Sequence, residues 1–275
     1  MKKILVPTDF SPIANKALDV AVNIARYNGA TIELLNVTVY PVQDINTYYS
    51  LYGASGVSID DAWKAVLTEA KTELDELIAK YEDIKINALV DENSDRFIDS
   101  VLNHKADLIV MGSNGAEGFK EFFGGSNSEE IVRMASCPVL VVKGDKETFE
   151  PKKVVFTVDF THEQFLKKAM YHLPFKDAEL HFLYVDTALK VVNYAEIKEK
   201  MQEMTTKLKL SNCKFVIQEA TTIEDGILDY VEEIDADLVV MYTHGRTGIS
   251  HFFRGSIAED VVNHANVPVF TFVEN

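Results

Sequence analysis

Cysteine is scarce in this sequence, and its placement predicts neither disulfides nor a zinc site. Of the 275 residues only two are cysteines, Cys137 and Cys213. They stand at non-equivalent places in the two halves of the chain described below, and they match no paired metal spacing. We therefore expect both thiols to be reduced and structural, which excludes redox and zinc chemistry.

Long apolar runs are also missing. No window reaches the roughly 18 consecutive apolar residues that a membrane span requires. The first residues, MKKILVPTDF, reach Thr8 and Asp9 too soon to form the core of a signal peptide. These absences predict a cytoplasmic protein with no membrane partner.

Positive charge is the third shortage. The chain has 27 Lys and Arg against 43 Asp and Glu, for a net charge of -16. Phosphate-rich surfaces would meet an overall repulsive field, so the sequence predicts no nucleic-acid partner. Any phosphate group bound here must be held by local geometry.

The chain contains an internal repeat: blocks of similar sequence occur in the same order in its two halves. The matching pairs are KKILVPTDFS (2–11) with KKVVFTVDFT (152–161), ELLNV (33–37) with HFLYV (181–185), ADLIVMG (106–112) with ADLVVMY (236–242), and CPVLVV (137–142) with VPVFTF (267–272). Such self-similarity indicates a tandem duplication. We predict one domain over 1–145 and a second over 151–275, joined by a short polar linker.

The separation between matching blocks becomes shorter after the second pair, which indicates that the first half carries extra residues around 41–60. This insertion contains three tyrosines and two glycines. A lid over a ligand, a contact for a partner subunit, and a surface loop packed on its own tyrosines all remain open as its role.

Apolar β-rich runs alternate with helical patterns in each half. In the first half the strands are predicted near 3–8, 31–39, 84–90, 106–111 and 139–143. Alternating strands and helices predict an α/β fold with a parallel sheet covered on both faces, and ligands of such sheets bind at the carboxyl ends of the strands. The first helix is well delimited, since Ser11 can cap it, Pro12 suits its first turn and Gly29 can end it.

The last strand of each half, PVLVV and PVFTF, is an apolar edge that needs a partner. We predict that the two pair with each other across a pseudo-two-fold axis, or with another chain. The single chain would then be an intramolecular pseudo-dimer, with a homodimer of tandem chains as the further alternative.

The stretch MGSNGAEGFKEFFGGSNSEE (111–130), at the end of the fourth strand of the first half, contains five glycines. Gly112 ends the strand, and Gly125 and Ser126 open a helix. Free amides and the helix dipole at such a start favour an anion such as phosphate. Ser126 and Glu129 also form a capping box, which explains the serine but not the glycine spacing.

The spacing G-x2-G-x9-G-[ST], together with ILVPTDFS and CPVLVV, resembles the universal stress protein family in its ATP-binding branch. The resemblance covers nearly the whole chain, twice. It implies two Rossmann-like domains of the adenine nucleotide alpha hydrolase-like type, each with a five-stranded parallel sheet. It also implies a stress-response protein that binds ATP, or AMP or ADP, with a magnesium ion as companion.

The resemblance assigns a role to each matching residue. Asp9 would contact the adenine or the ribose, and Val37 would form an apolar wall of the base pocket; a turn-forming aspartate is the alternative for Asp9. The nucleotide-binding set implied for the first half is Pro7, Thr8, Asp9, Val37, Met111, Gly112, Gly115, Gly125, Ser126 and Asn127.

The second half departs from the motif at Tyr242, which replaces the first glycine. A tyrosine there is expected to close the pocket or redirect it, although Arg246 and Arg254 make the loop more basic. We predict a weaker second site, formed by Asp159, Val185, Gly245, Arg246, Gly255 and Ser256.

Motifs of other nucleotide proteins are absent: neither G-x4-G-K-[ST] nor S-G-G-x-D-S occurs, and no G-x-G-x-x-G follows the first strand. No nucleophile with an adjacent base is evident, so nothing points to an enzyme. Our hypothesis is a nucleotide-dependent regulator or interaction module. A nucleotide-independent stress scaffold is the alternative, and a slow ATPase is the more distant one. Residues that would bind a metal stay unassigned.

Overall fold

The computed structural model describes residues 1–38, 58–92, 96–113, 125–144, 149–159, 169–173, 175, 177–189, 193–210, 212–243 and 255–273. Most of the predicted insertion, through residue 57, lies outside these ranges. Both cysteines are free, as predicted. Burial raises the pKa of the Cys137 thiol to about 11, which suits a structural role.

Strands and helices alternate in both halves. The first half contains β1 (Lys3–Pro7), α1 (Pro12–Asn28), β2 (Thr31–Val37), α2 (Ile59–Ile78), β3 (Ile86–Asp91), α3 (Phe97–Asn103), β4 (Leu108–Gly112), α4 (Gly125–Met134) and β5 (Val139–Val142). The second contains β6 (Lys153–Thr157), β7 (Glu179–Asp186), α5 (Tyr194–Leu208), β8 (Cys213–Glu219), α6 (Ile223–Glu233), β9 (Leu238–Thr243), α7 (Gly255–His264) and β10 (Val269–Val273).

The strands form one ten-stranded sheet in the order β3-β2-β1-β4-β5-β10-β9-β6-β7-β8. Neighbours within each half are parallel, as predicted. The two halves meet where β5 pairs antiparallel with β10, Leu140 lying opposite Phe270. The predicted pairing of the two final strands is therefore confirmed, and it covers the apolar edge that each half would otherwise expose.

The first helix begins and ends as its sequence predicts. The hydroxyl oxygen of Ser11 accepts from the backbone N–H of Ala14, Pro12 is the first helical residue, and Gly29 ends the helix with a φ of 66°. This left-handed conformation is one that glycine adopts without strain. The Ser11 cap at the start of the helix fixes where the chain turns after β1, at the edge where ligands of parallel sheets bind.

Two apolar cores lie on opposite faces of the sheet, because alternate strand residues point to opposite faces. One core contains Ile4 and Val6 together with the buried faces of α1, α2 and α5. The other contains Leu5 together with the buried faces of α3, α4, α6 and α7. Both cores run through both halves, so the chain packs as a three-layer α/β structure.

A buried lysine joins the two halves. Lys143 follows β5 and is 4% exposed. Its Nζ donates to the backbone oxygens of Asn263 and Ala265, each at 3.0 Å, at the C-terminal end of α7. A cation is favourable there because the last carbonyls of a helix carry partial negative charge. Burial nevertheless lowers the pKa of Lys143 to about 8.

This lysine predicts how stability changes at alkaline pH. In the unfolded chain its pKa returns towards the ordinary 10.5, so between pH 8 and 10.5 the unfolded state binds more protons than the folded state. We expect the free energy of unfolding of the natural protein, relative to Lys143→Met, to rise by on the order of 2 kcal/mol from pH 7 to pH 10. Urea denaturation of both proteins measures this, and a constant difference across that range would contradict it.

Candidate functional site

A hydrogen-bonded turn follows β1 and leads into α1. The backbone N–H of Phe10 donates to the hydroxyl of Thr8 at 3.0 Å, and that of Ser11 donates to Oδ1 of Asp9 at 3.0 Å. Asp9 therefore does form a turn, which is the alternative role expected for this residue. The same side chain also borders a cavity, so the two roles are compatible.

The cavity lies at the carboxyl ends of β1 and β2, beneath α2. Its volume is about 330 Å³. It is lined by Thr8, Asp9 and Phe10 after β1, by Asn36, Val37 and Thr38 at the end of β2, by Val66, Glu69, Ala70 and Glu73 of α2, and by Phe97 of α3. Three of the residues predicted from the sequence, Thr8, Asp9 and Val37, thus meet at one cavity.

Asn36 holds the two loops of this cavity together. It is 7% exposed; its Nδ2 donates to the backbone oxygen of Thr8 at 3.0 Å, and its Oδ1 accepts from the hydroxyl of Thr38 at 2.7 Å. This residue was not among those predicted from the sequence. Its signal was a polar side chain inside the apolar run ELLNV, since a buried amide needs hydrogen-bond partners.

The charged side chains that line the cavity are acidic. Asp9, Glu69 and Glu73 contribute carboxylates, and among the described lining residues there is no lysine, arginine or histidine. Carboxylates accept hydrogen bonds from amino and hydroxyl groups and repel phosphate. The cavity therefore suits the uncharged, donor-bearing part of a ligand.

A second group of elements meets at the neighbouring strand end, after β4. The backbone N–H of Ser113 donates to the oxygen of Val142 at 3.0 Å, and the buried hydroxyl of Ser128 donates to that of Ser113 at 3.3 Å. Because Ser128 lies in the first turn of α4, this contact places the start of α4 beside the end of β4. β4 pairs with β1, so both groups share one edge of the sheet.

Gly112 is required at the end of β4 by a close contact with α1. A Cβ atom there would lie 2.6 Å from the backbone oxygen of Ile13. Backbone atoms cannot move aside cheaply, so packing explains this glycine without any ligand. The packing of α1 on β4 accounts for the glycine, and the nucleotide-binding role that the resemblance implies for Gly112 stays a prediction.

This contact predicts the effect of adding one methyl group. We expect Gly112→Ala to lower the free energy of unfolding by about 1 to 3 kcal/mol, because α1 must shift away from β4. Chemical denaturation of the variant measures the loss. Unchanged stability would show that α1 can shift away from β4 without a loss of stability.

The other predicted residues of the first half have different placements. Pro7 ends β1 and is buried, and Met111 is 1% exposed within the core. Gly125 and Ser126 begin α4, with Asn127 partly buried after them. Gly115 lies outside the described residues.

In the second half, α6 covers Val185, the residue that corresponds to Val37. Val185 is 7% exposed, and a Cβ atom added to Gly226 of α6 would lie 2.6 Å from its Cγ1. Nearby, the hydroxyl of Tyr194 contacts carboxylate oxygens of Asp186 and Glu219 at 2.8 and 2.9 Å. The strand end at Val185 is therefore closely packed by α6, and two carboxylates lie near it.

The remaining predicted residues of the second half are placed as follows. Asp159 follows β6 as Asp9 follows β1, and Gly255 and Ser256 begin α7. Gly245 and Arg246 lie outside the described residues. Tyr242 is 5% exposed and belongs to the same core cluster as Phe272.

Comparison with known proteins decides the family. The Universal stress protein family matches residues 1–143 and again 152–272. The chain belongs to the universal stress protein family. A universal stress protein of Synechocystis is 26% identical over 99% of this chain and 100% of its own length, so it shares the tandem arrangement. One from Methanocaldococcus jannaschii is 30% identical over 53% of this chain and 84% of its own length.

Solved structures of the family share the fold. A universal stress protein from Archaeoglobus fulgidus superimposes with a TM-score of 0.69 over 99% of this chain and 96% of its own, at 23% identity. One from Pseudomonas aeruginosa gives a TM-score of 0.62 over 99% and 93%, at 18% identity. The predicted family and the Rossmann-like fold of both halves are thus confirmed.

Membrane-spanning helices and clustered metal ligands are both missing from the described part of the chain. None of its helices is long and apolar enough to cross a membrane. Within the same residues, no three His, Cys, Asp or Glu side chains are grouped so that they could hold a metal ion.

Proposed function

We propose that this universal stress protein binds an adenine nucleotide in its first half and acts in the cytoplasm as a nucleotide-dependent regulator or interaction module. The proposed ligand is ATP with a magnesium ion, and AMP and ADP are the alternatives. The cavity beside Asp9 carries the proposal, because it combines an apolar wall at Val37 with carboxylate acceptors, one after β1 and two on α2.

The nucleoside part of the ligand suits this cavity. A volume of about 330 Å³ lies at the lower end of the range for small-molecule sites, about 300 to 1,000 Å³. Val37 and Phe97 offer apolar surface to a base. Asp9 can accept a hydrogen bond from an amino group of the base or from a ribose hydroxyl.

The phosphates would lie outside the cavity, towards the start of α4. Carboxylates repel them from the cavity, whereas free backbone amides and the helix dipole attract them at Gly125. The contact between Ser128 and Ser113 holds this helix start at the same sheet edge. The proposed phosphate edge also includes Gly112, Gly115, Ser126 and Asn127. The magnesium ion would accompany the phosphates.

We further propose that residues 1–145 and 151–275 act as separate domains of unequal affinity. The second site, with Asp159, Val185, Gly245, Arg246, Gly255 and Ser256, would bind ATP more weakly or not at all. The close packing of α6 on Val185 supports this asymmetry.

Native mass spectrometry of the purified protein, followed by calorimetric titration with ATP and magnesium, tests the proposal. We expect one adenine nucleotide per chain and no turnover in a phosphate-release assay. A protein that retains no nucleotide and gives no binding heat would instead support the nucleotide-independent scaffold. Steady phosphate release would support the slow ATPase.

A further inference from the structure

Helices α2 and α5 occupy equivalent positions in the two halves. In α2 the buried residues Ala70, Leu74 and Leu77 follow a spacing of four and then three, and in α5 Ile197, Met201 and Met204 do the same. Leu77 lies nine residues before β3 begins at Ile86, and Met204 lies nine residues before β8 begins at Cys213. Ala70 of the first half therefore corresponds to Ile197 of the second.

The two equivalent residues face different surroundings. Ala70 lines the cavity beside Asp9, and its methyl group leaves that space open. Ile197 is 7% exposed and belongs to the core cluster with Met201 and Phe182. Isoleucine has three more carbon atoms than alanine, so the second half fills volume that the first half leaves empty.

We propose that Ala70 of α2 determines which half receives the nucleoside, by leaving room for the base. The inference rests on the proposed function and adds to it a helix that lies outside the glycine motif. By this account α2 forms a wall of the site. Ala70 leaves room for the ligand in the first half, and Ile197 excludes the ligand from the second half.

The rest of the same helix face supports this role. Val66, Glu69, Ala70 and Glu73 are spaced three, one and three residues apart, so they share one side of α2. Val66 is an apolar residue that is 44% exposed at the cavity, where it is available to cover a base. In the second half Lys200 replaces Glu73, and it pairs with Glu196 at 2.8 Å.

The test is to place the second-half residue in the first half. We expect Ala70→Ile to weaken binding of both adenosine and ATP with magnesium by at least about tenfold, since even one carbon in a tight pocket changes affinity by roughly 10-fold or more. Loss of adenosine binding matters because it assigns the effect to the nucleoside end. Isothermal calorimetry with each ligand gives the affinities.

A matched control uses the same substitution on the exposed side of the same helix. Ala65 is exposed and does not line the cavity, so Ala65→Ile should bind both ligands as the natural protein does. If Ala70→Ile does not fold, Ala70→Val replaces it and should give a smaller loss of the same kind.

The outcomes separate the two proposals. If the folded Ala70 variants bind adenosine and ATP as tightly as the natural protein does, the role of Ala70 is overturned and the proposed function still stands. No adenosine or ATP binding by the natural protein would overturn both. A loss for ATP alone, with adenosine binding unchanged, would also contradict this inference, because it would place the effect at the phosphates.

Discussion

Replacing Gly125 by glutamate is expected to weaken ATP binding by at least about tenfold while leaving the sheet intact. The new carboxylate and Cβ would lie at the start of α4, where we propose that the phosphates bind. Charge-assisted hydrogen bonds contribute about 1.5 to 3 kcal/mol each, and the loss of one such bond already corresponds to roughly tenfold in affinity. Calorimetric titration with ATP and magnesium measures the change.

The equivalent substitution in the other half is the natural control. Gly255 begins α7 as Gly125 begins α4, so Gly255→Glu introduces the same charge in the same local structure. We expect it to leave ATP binding nearly unchanged, because the second half binds weakly or not at all. Full binding by the Gly125 variant would show that the phosphates are held elsewhere, and two equal sites per chain would show that both halves bind.

Replacing Tyr242 by alanine is expected to lower the free energy of unfolding by about 3 to 5 kcal/mol, as removal of a large buried aromatic ring typically does. Tyr242 is 5% exposed and packs in the core cluster that contains Phe270 and Phe272. Its ring therefore fills the interior of the second half. Urea denaturation followed by circular dichroism measures the loss.

An exposed tyrosine provides the comparison. Tyr27 of α1 is 58% exposed, and Tyr27→Ala should change stability by no more than about 0.5 kcal/mol. We also expect Tyr242→Ala to gain no additional nucleotide, because Ile197 still occupies the second half. A variant as stable as the natural protein would place the tyrosine outside the core.

Part of the candidate site could be found by reading the strand ends. Thr8, Asp9 and Val37 directly follow or end predicted strands, and the carboxyl ends of parallel strands share one edge, so their meeting follows from the order of elements. Glu69 and Glu73 could not be found in this way. They lie in the middle of a charged helix, and only the packing of α2 beside the strand ends brings them to the cavity.

Gly112 shows how one motif can have two explanations. Its spacing relative to Gly125 identified the family, yet spacing cannot tell a ligand contact from a packing contact. A Cβ atom added to Gly112 would lie 2.6 Å from the oxygen of Ile13, so α1 alone requires a glycine there. A contact between residues so far apart in the chain has no signature in either local sequence.

The sequence alone determined the family, the duplication and the alternation of strands and helices, because these depend on the order and periodicity of neighbouring residues. It also predicted that the two final strands would pair, since an apolar edge strand needs a partner. The tertiary structure decided the rest. Which side chains line the cavity, and that Ala70 leaves space where Ile197 fills it, depends on helix packing across the sheet, which sums many distant contacts.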